Sequence, residues 1–260
     1  SPNNLYDQNN EIGVDGANSI SNYSGSSSTS YGIYAIYQNN LKIANNSIAN
    51  GTGHTSTLYG ISISTGTNSN YEIYGNSVTL QTSTTTSATY GISSSMGSTG
   101  TNNLCKIYNN TVSGLITTSI TSGSFYGYQN SGSAYEFQFY NNALTGNNLG
   151  DGSTTATGTF YGAYLYGSNT NTGSLWSIHN NTITGNVRTQ SVLGTGTFYG
   201  LYNTSSGLTL DIYGNSITNN TMPTTTSSQY LLYCSSSAVN KNIYDNTISN
   251  HIGSGGSVYG

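Results

Sequence analysis

The chain has 260 residues and only 5% of them are charged, whereas an ordinary globular domain has roughly 25% charged residues. Four Lys and Arg residues are too few to neutralise a phosphate backbone, so we expect no nucleic-acid partner. No apolar run approaches the roughly 18 residues of a membrane-spanning helix, so we expect no membrane span. Aromatic residues make up 12% of the chain, which excludes a typical disordered segment and predicts a packed core.

Tyr-Gly dipeptides recur through the chain at intervals of 28 to 38 residues. They begin at Tyr31, Tyr59, Tyr90, Tyr126, Tyr161, Tyr199 and Tyr259, with Tyr230-Leu231 in the remaining position of the series. Each dipeptide opens a stretch in which apolar and polar residues alternate, as in Gly32-Ile33-Tyr34-Ala35-Ile36. Alternation with period two, together with enrichment in Tyr and β-branched residues, predicts a first strand in each repeat unit.

A second motif follows each dipeptide. It has six positions, which are an apolar residue, a residue that is usually Tyr, any residue, an Asn, a Ser or Thr, and a second apolar residue. An example is Ile107-Tyr108-Asn109-Asn110-Thr111-Val112. A degenerate copy ends in Asn18-Ser19-Ile20. The motif predicts a second strand that leads into the Asn and a third strand that follows it, and the Gly, Ser, Thr and Asn residues between strands predict turns.

Three short strands in roughly 30 residues, repeated eight times, are typical of a parallel β-helix, whereas a propeller blade needs four strands and a longer repeat. Parallel crossovers are almost always right-handed. We therefore expect an all-β fold, a right-handed parallel β-helix (solenoid) of about eight coils with three short strands per coil. It should form one domain over residues 1–260, as a segment of a longer array or filament. The varying repeat length predicts loops within 81–89, 115–124, 147–159 and 187–197.

Equivalent positions of successive coils should stack into columns along the solenoid axis. The inward column of the second strand contains Ile43, Ile73, Ile107, Phe139, Ile178, Ile212 and Ile243. We expect Lys241 to interrupt the neighbouring inward column and to extend its charged end outward. A structural asparagine ladder at a corner is predicted for Asn46, Asn76, Asn110, Asn142, Asn181, Asn215 and Asn246. We expect these Asn residues to adopt the left-handed conformation and to bond along the axis, with a ligand-binding row of amides as the alternative.

Outward positions carry three further patterns. An aromatic column that could stack, or contact a glycan or another surface, is predicted for Tyr74, Tyr108, Tyr140, His179, Tyr213 and Tyr244. The Tyr-Gly tyrosines should form a second stack, and Lys42, Glu72 and Lys106 should pair across adjacent strands. Ser or Thr flanks the inward residue of the third strand, and these hydroxyl rows partly resemble the Thr-x-Thr arrays of ice-binding solenoids, with interruptions at Ala49 and Ala143.

Catalytic residues are hard to find in the sequence. Solenoid enzymes that cleave polysaccharides need clustered acids, but only Asp211 and Asp245 lie about one coil apart, and their columns differ. Arg188 falls in a predicted loop. His54 and His251 fall in loop or turn sequence, and neither has an acid or a nucleophile at a spacing that would indicate a catalytic group. The sequence therefore favours a protein with no catalytic residue, no metal and no cofactor, and a polysaccharide-cleaving enzyme stays the alternative.

The repeat units resemble a family of secreted proteins. The segments Tyr31-Gly32-Ile33-Tyr34 and Ile178-His179-Asn180-Asn181-Thr182-Ile183 are similar to units of secreted right-handed parallel β-helix repeat proteins, in the style of large Bacteroidota-type cell-surface proteins. This resemblance implies export by type IX secretion and a role in adhesion, gliding or cell-surface filaments. The low charge and the abundance of Ser, Thr, Asn and Gly also favour an extracellular or cell-surface location.

These observations predict a non-catalytic extracellular β-helix with a structural or adhesive role, as a stiff segment of a cell-surface protein or fibre. Its expected partners are the chain itself end to end, flanking repeats, a polysaccharide or another cell surface. The alternatives are a polysaccharide-binding or polysaccharide-cleaving β-helix and an ice-binding solenoid.

Overall fold

In the computed structural model, the described residues form β-strands joined by turns and loops, and they contain no helix. The structure describes residues 6–25, 27–83, 86–117, 122–150, 157–188, 194–222, 227–253 and 256–260. The strands pair in parallel in three eight-stranded sheets, which the chain visits in the same order in each coil. The predicted β-solenoid with three strands per coil is confirmed. Eight strands in a sheet are separated by seven steps, so the solenoid has about seven turns where about eight coils were expected.

The three sheets are named here by their place in the repeat. Sheet 1 contains the Tyr-Gly strands Ser30–Ile36, Leu58–Ser64, Thr89–Ser94, Phe125–Asn130, Phe160–Leu165, Phe198–Asn203, Gln229–Cys234 and Val258–Tyr259. Sheet 2 contains Glu11–Ile12, Leu41–Ala44, Tyr71–Tyr74, Leu104–Tyr108, Glu136–Tyr140, Leu175–His179, Thr209–Tyr213 and Asn240–Tyr244. Sheet 3 contains Ser19–Ser21, Ser47–Ala49, Ser77–Thr79, Thr111–Ser113, Ala143–Thr145, Thr182–Thr184, Ser216–Thr218 and Thr247–Ser249. Three short pairs join Asp7–Gln8 to Gln38–Asn39, Gln81–Thr82 to Ile116–Thr117, and Thr221–Met222 to Ile252–Gly253.

The core fills the space between the three sheets. Strand alternation sends every second side chain inward, and the columns of sheets 2 and 3 lie in the register that the repeats predict, as in Ile73 beside Ile107 and Val78 beside Val112. Trp176 is the largest fully buried side chain. Burial of a large apolar side chain contributes roughly 1.5–3 kcal/mol, so these columns are the main source of stability.

The last strand of sheet 2 is less buried than the strands before it. Ile243 lies beside Ile212 in the predicted column but is 46% exposed, because no described coil lies beyond it to cover its side chain. Lys241 lies beside Leu210 in the neighbouring column and is exposed, and its Nζ donates to the carbonyl oxygen of Ser236 at 2.9 Å. Stacking of flanking repeats or of a second copy on this end stays a prediction.

The glycine of the Tyr-Gly dipeptide is required by close packing between sheets 1 and 3. A Cβ atom on Gly127 would lie 2.5 Å from Leu144 Cδ1 and 2.6 Å from the carbonyl oxygen of Gly162 in the next coil. The same contacts occur at Gly91, where the distances are 2.8 Å to Val112 Cγ1 and 2.4 Å to the Gly127 oxygen. In coils that are covered by a neighbouring coil on both sides, only glycine therefore fits at this position without a clash.

The predicted length-variable loops are only partly described. Residues 84–85, 118–121, 151–156 and 189–193 of these segments lie outside the described residues. The described residues at their starts are not simple loops, because Gln81–Thr82 pairs with Ile116–Thr117 and Val187 forms parallel bridges to Asn148 and Thr221. Backbone N–H and C=O groups here find partners in the adjacent coil, as they do within the three sheets.

Candidate functional site

The predicted asparagine ladder runs along the corner between sheets 2 and 3. Nδ2 of each Asn donates to Oδ1 of the next at 2.9–3.1 Å, in six consecutive steps from Asn46 to Asn246. The same Oδ1 accepts the backbone N–H of the preceding ladder residue at 3.0–3.1 Å. Nδ2 also donates to the coil before, as from Asn142 to the Ile107 carbonyl at 2.8 Å. The donors and acceptors of these amides are bonded to other groups of the wall, so the structural role is favoured over ligand binding.

The left-handed backbone conformation does not belong to the ladder residues, and that prediction is wrong. The residue before each ladder Asn has the positive φ, as in Asn141 (54°), Gly75 (64°) and Asp245 (52°). This residue makes the corner, where Asn, Asp and Gly tolerate the left-handed region. The ladder Asn can then point its amide inward and reach both neighbouring coils.

A second asparagine ladder was not predicted. Asn147 donates to Asn186, and Asn186 donates to Asn220, each from Nδ2 to Oδ1 at 2.9 Å. Each lies five residues after a member of the first ladder and follows a residue with positive φ, as Asn186 follows Gly185 (64°). The spacing was visible in the sequence, but Asn is so common in this chain that only the register distinguishes this column. The column is also interrupted by Leu115, whose N–H donates to Asn147 Oδ1 at 3.0 Å.

The aromatic column of sheet 2 stacks as predicted. Ring centroids from Tyr74 through Tyr108, Tyr140, His179 and Tyr213 to Tyr244 are 4.7–5.1 Å apart, and the ring planes lie within 2–8° of each other. Burial and then the bonded Glu72 carboxylate raise the pKa of Tyr108, whose hydroxyl donates to Glu72 Oε2 at 2.9 Å. Burial lowers the pKa of His179, which favours the neutral form of this ring within the stack.

Stacking decides what the sheet 2 column can offer to a ligand. Offset rings at these distances cover much of one another's faces. Ring edges and phenolic hydroxyls are therefore presented outward, rather than a flat row of open ring faces. Contact of Tyr74, Tyr108, Tyr140, His179, Tyr213 and Tyr244 with a glycan or another surface stays a prediction.

Charged side chains concentrate beside this column, but not in the predicted pairs. Lys42 forms its ion pair with Glu11 at 2.7 Å, and Glu72 bonds to Tyr108 instead of a lysine. The prediction of ion pairs among Lys42, Glu72 and Lys106 is wrong, because Lys42 pairs with Glu11 on the preceding strand and Glu72 accepts from Tyr108, which lies on the same strand as Lys106. The three side chains line an open groove of about 290 Å³, together with Asn40 and Asn70.

The Lys42–Glu11 pair should contribute little to stability. Both side chains are partly exposed, at 42% and 38%, so water screens their attraction. We expect Glu11→Gln to leave the urea denaturation midpoint unchanged within error in low salt. A clear fall of that midpoint, reversed by restoring Glu11, would show that the pair holds the first coil in place.

Sheet 1 carries a longer tyrosine stack, which we call the tyrosine ladder. It contains Tyr31, Tyr59, Tyr90, Tyr126, Tyr161, Tyr199, Tyr230 and Tyr259, with centroids 4.5–5.1 Å apart and planes within 4–10°. A second outward row lies beside its later coils and contains Tyr164, Tyr202 and Tyr233. The sequence predicted the ladder, but this second row was missed.

The hydroxyl rows of sheet 3 lie in the predicted register. Thr182 and Thr184 pair with Ser216 and Thr218 of the next coil, and the Thr184 and Thr218 hydroxyls are 3.1 Å apart. Ala143 interrupts one row, as the sequence indicated. The hydroxyl positions of these two strands are partly exposed.

The remaining ionisable residues do not form a catalytic cluster within the described ranges. Asp211 accepts a hydrogen bond from Asn242 at 2.8 Å, and Asp245 makes a corner. No group of three His, Cys, Asp or Glu residues able to hold a metal occurs among the residues described. Arg188, expected in a loop, is 1% exposed, and its Nη2 donates to the Gly158 carbonyl at 2.6 Å. His54, expected in a turn, is also fully buried, with ring nitrogens at 2.6 and 3.1 Å from two carbonyl oxygens.

Comparison with known protein families, curated proteins and solved structures gives no match to this chain. The β-solenoid is shown by the structure, and the likeness to Bacteroidota-type surface proteins remains an interpretation of the repeat units. Among the described residues, no helix has the length and apolar character required to cross a membrane.

His251 should make stability depend on pH. Its ring stacks on Phe198 and bonds to Gln229, and burial lowers its pKa to about 4. The unfolded chain binds a proton near pH 6.5 that the folded chain does not, so stability falls as pH drops from about 6.5 toward 4. We expect the free energy of unfolding to fall by about 1 kcal/mol, which is less than the full pKa shift would give because the ring is partly exposed to water. Urea unfolding at pH 7.5 and 5.0 measures it, and an unchanged pH dependence in His251→Gln would contradict this assignment.

Proposed function

We propose that this chain is a non-catalytic structural and adhesive segment, a stiff part of an extracellular cell-surface protein or fibre. The continuity of its side-chain ladders supports this proposal. The first asparagine ladder and the tyrosine ladder each pass through successive coils without a gap. A catalytic pocket, by contrast, gathers a few unlike polar and titratable side chains at one place.

The ladders give each coil three kinds of attachment to the next. Backbone bonds join the strands, asparagine amides join the corners, and aromatic rings stack on two outer faces. Eight strands at about 4.8 Å give a wall roughly 34 Å long. The tyrosine ladder runs along all eight strands, and the sheet 2 aromatic column runs along six of them, from Tyr74 to Tyr244. Such a wall suits a spacer that carries load along its axis.

A mechanical measurement tests the structural part of the proposal. The chain is placed between two marker domains and extended by single-molecule force spectroscopy. We expect distinct unfolding peaks, at lower force in Asn142→Ala and at unchanged force in Asn141→Gly. Extension without any resolved peak would contradict a load-bearing role.

Two assays test the remaining parts. Antibodies against the chain should label intact cells of the source organism, and labelling that requires cell lysis would contradict the surface location. Incubation with polysaccharides should release no reducing sugar. Release that survives purification and is lost on Asp211→Asn would favour the polysaccharide-cleaving alternative instead.

The hydroxyl rows of sheet 3 favour ice binding as a second candidate. Thr182, Thr184, Ser216 and Thr218 form a two-by-two array on two adjacent strands in register. An ice-binding solenoid should show thermal hysteresis that is abolished by Thr184→Tyr. Absence of hysteresis at high protein concentration would exclude this candidate and leave the structural proposal unaffected.

A further inference from the structure

The outer side of sheet 1 carries the densest aromatic surface of the described chain. We call it the tyrosine face and define it as the tyrosine ladder together with Tyr164, Tyr202 and Tyr233. The ladder extends over all eight strands of the sheet, and the second row widens it in the later coils. Tyr34 and Tyr259, near its two ends, are 52% and 49% exposed.

In the last two coils of the second row, the two rows pack at a steep angle to each other, whereas Tyr161 and Tyr164 lie at 26°. Tyr202 and Tyr233 stack with centroids 4.8 Å apart and planes within 10°, while Tyr199 meets Tyr202 at 80° and Tyr230 meets Tyr233 at 76°. Each row therefore braces the other and holds its rings in fixed orientations. A ligand would meet a corrugated strip of ring edges, partial ring faces and hydroxyls that needs little reorganisation on binding.

The tyrosine face has no charge. None of its eight strands contains Lys, Arg, Asp or Glu. Burial raises the pKa of Tyr90 and Tyr161, so the phenols also remain neutral near pH 7. An anionic polymer would find no cation here, whereas sheet 2 places Lys42, Glu72 and Lys106 beside its aromatic column.

An uncharged polysaccharide matches this chemistry. Its sugar rings present C–H groups that pack on aromatic rings, and hydroxyls that exchange hydrogen bonds with phenols. Its repeating units also suit a ladder that repeats along roughly 34 Å. A second copy of the chain is a poorer match, because the widened part of the face has no apolar aliphatic side chain exposed among its outward tyrosines.

We propose that the tyrosine face binds an uncharged polysaccharide laid along the solenoid axis, with Tyr202 and Tyr233 at the main contact. The inference rests on the proposed adhesive function, since it names the class of polymer to which the segment adheres. The proposed contact lies on a different face from the aromatic column of sheet 2, for which the sequence also predicted contact with a glycan or another surface.

A depletion assay tests this assignment on the full chain. The protein is mixed with insoluble cellulose, chitin, β-1,3-glucan and xylan, and the unbound fraction is measured after centrifugation. We expect binding to at least one polymer, with at least a tenfold loss in Tyr202→Ser/Tyr233→Ser. Tyr202→Phe/Tyr233→Phe, which keeps the rings and removes two hydroxyls, should lose less. The matched control on sheet 2, Tyr108→Ser/Tyr140→Ser, should bind as the unchanged chain does.

Several outcomes would overturn the proposal. They are absence of binding to all four polymers, equal loss in the sheet 1 and sheet 2 variants, and binding that salt abolishes. Concentration-dependent self-association that disappears in Tyr202→Ser/Tyr233→Ser, without polysaccharide binding, would assign the face to contact between copies instead. Thermal unfolding of each variant confirms that it is folded. The force and cell-labelling experiments do not depend on this face, so the adhesive partner can fail while the structural function stands.

Discussion

Replacing Asn142 by Ala is expected to lower the free energy of unfolding by about 3–5 kcal/mol. The side chain is 2% exposed and takes part in four hydrogen bonds. Its loss leaves the backbone N–H and one amide proton of Asn110 without an acceptor, and it removes the bonds that Nδ2 donates to the Ile107 carbonyl and to Asn181 Oδ1. Each such buried group costs about 1–3 kcal/mol, and water cannot easily replace the amide inside the wall.

Two readouts separate this effect from a general loss of packing. Urea unfolding gives the total change, and hydrogen exchange should show faster exchange at the Asn110 amide than at amides several coils away. Asn142→Asp keeps the shape but turns the donor into an acceptor facing Ile107 O and Asn181 Oδ1, so it should be at least as destabilising at pH 7.

Asn141→Gly is the matched control for the ladder. Asn141 is exposed and has positive φ, and glycine already holds the equivalent position at Gly75 and Gly214. We expect a change within about 0.5 kcal/mol. If Asn142→Ala were as mild as Asn141→Gly, the ladder would not be the element that holds successive coils in register.

Replacing Gly127 by Ala is expected to cost about 2–4 kcal/mol, although it adds a single methyl group. The new carbon would meet Leu144 Cδ1 at 2.5 Å and the backbone oxygen of Gly162 at 2.6 Å. The leucine can adopt another rotamer, but the oxygen belongs to the hydrogen-bonded wall and can move only with its coil. Urea unfolding of the single variant measures this cost.

A double variant shows which contact matters. In the Leu144→Ala background, Gly127→Ala should still lower stability, although by less than in the unchanged chain, because the clash with the Gly162 oxygen remains. If Gly127→Ala cost nothing in that background, the contact with the Leu144 side chain alone would exclude Ala. Gly16→Ala is the control, since no atom lies within 4 Å of the added carbon, and its stability should change by less than about 0.5 kcal/mol.

The repeat explains why so much of the wall could be predicted. A column such as Ile73 and Ile107, or Asn110 and Asn142, requires only that equivalent positions lie over one another, and parallel pairing in constant register provides this. Each prediction for one coil is therefore repeated in the next. Tyr-Gly was equally visible, but its reason, the closeness of sheet 3 to sheet 1, appears only when both sheets are in place.

Features that depend on one coil alone were missed. Burial of Arg188 and His54 and the choice of Glu11 as partner of Lys42 have no counterpart in other repeats. The second row of the tyrosine face was missed for a related reason, since Tyr164, Tyr202 and Tyr233 occupy a position that Ser or Gln fills in the three coils before them, after Tyr34 in the first coil. A pattern interrupted for three units does not stand out in a chain with 24 Tyr residues.

The order of residues by itself determined the strands, the inward columns, the first asparagine ladder and both aromatic stacks, because hydrophobic alternation and a constant register are local and repeating properties. The tertiary structure alone decided which corner residue turns left-handed, which carboxylate pairs with which lysine, and how the tyrosine rings tilt against one another. Those outcomes depend on distances between coils and between sheets, where differences of about 1 Å select among partners that look equivalent along the chain.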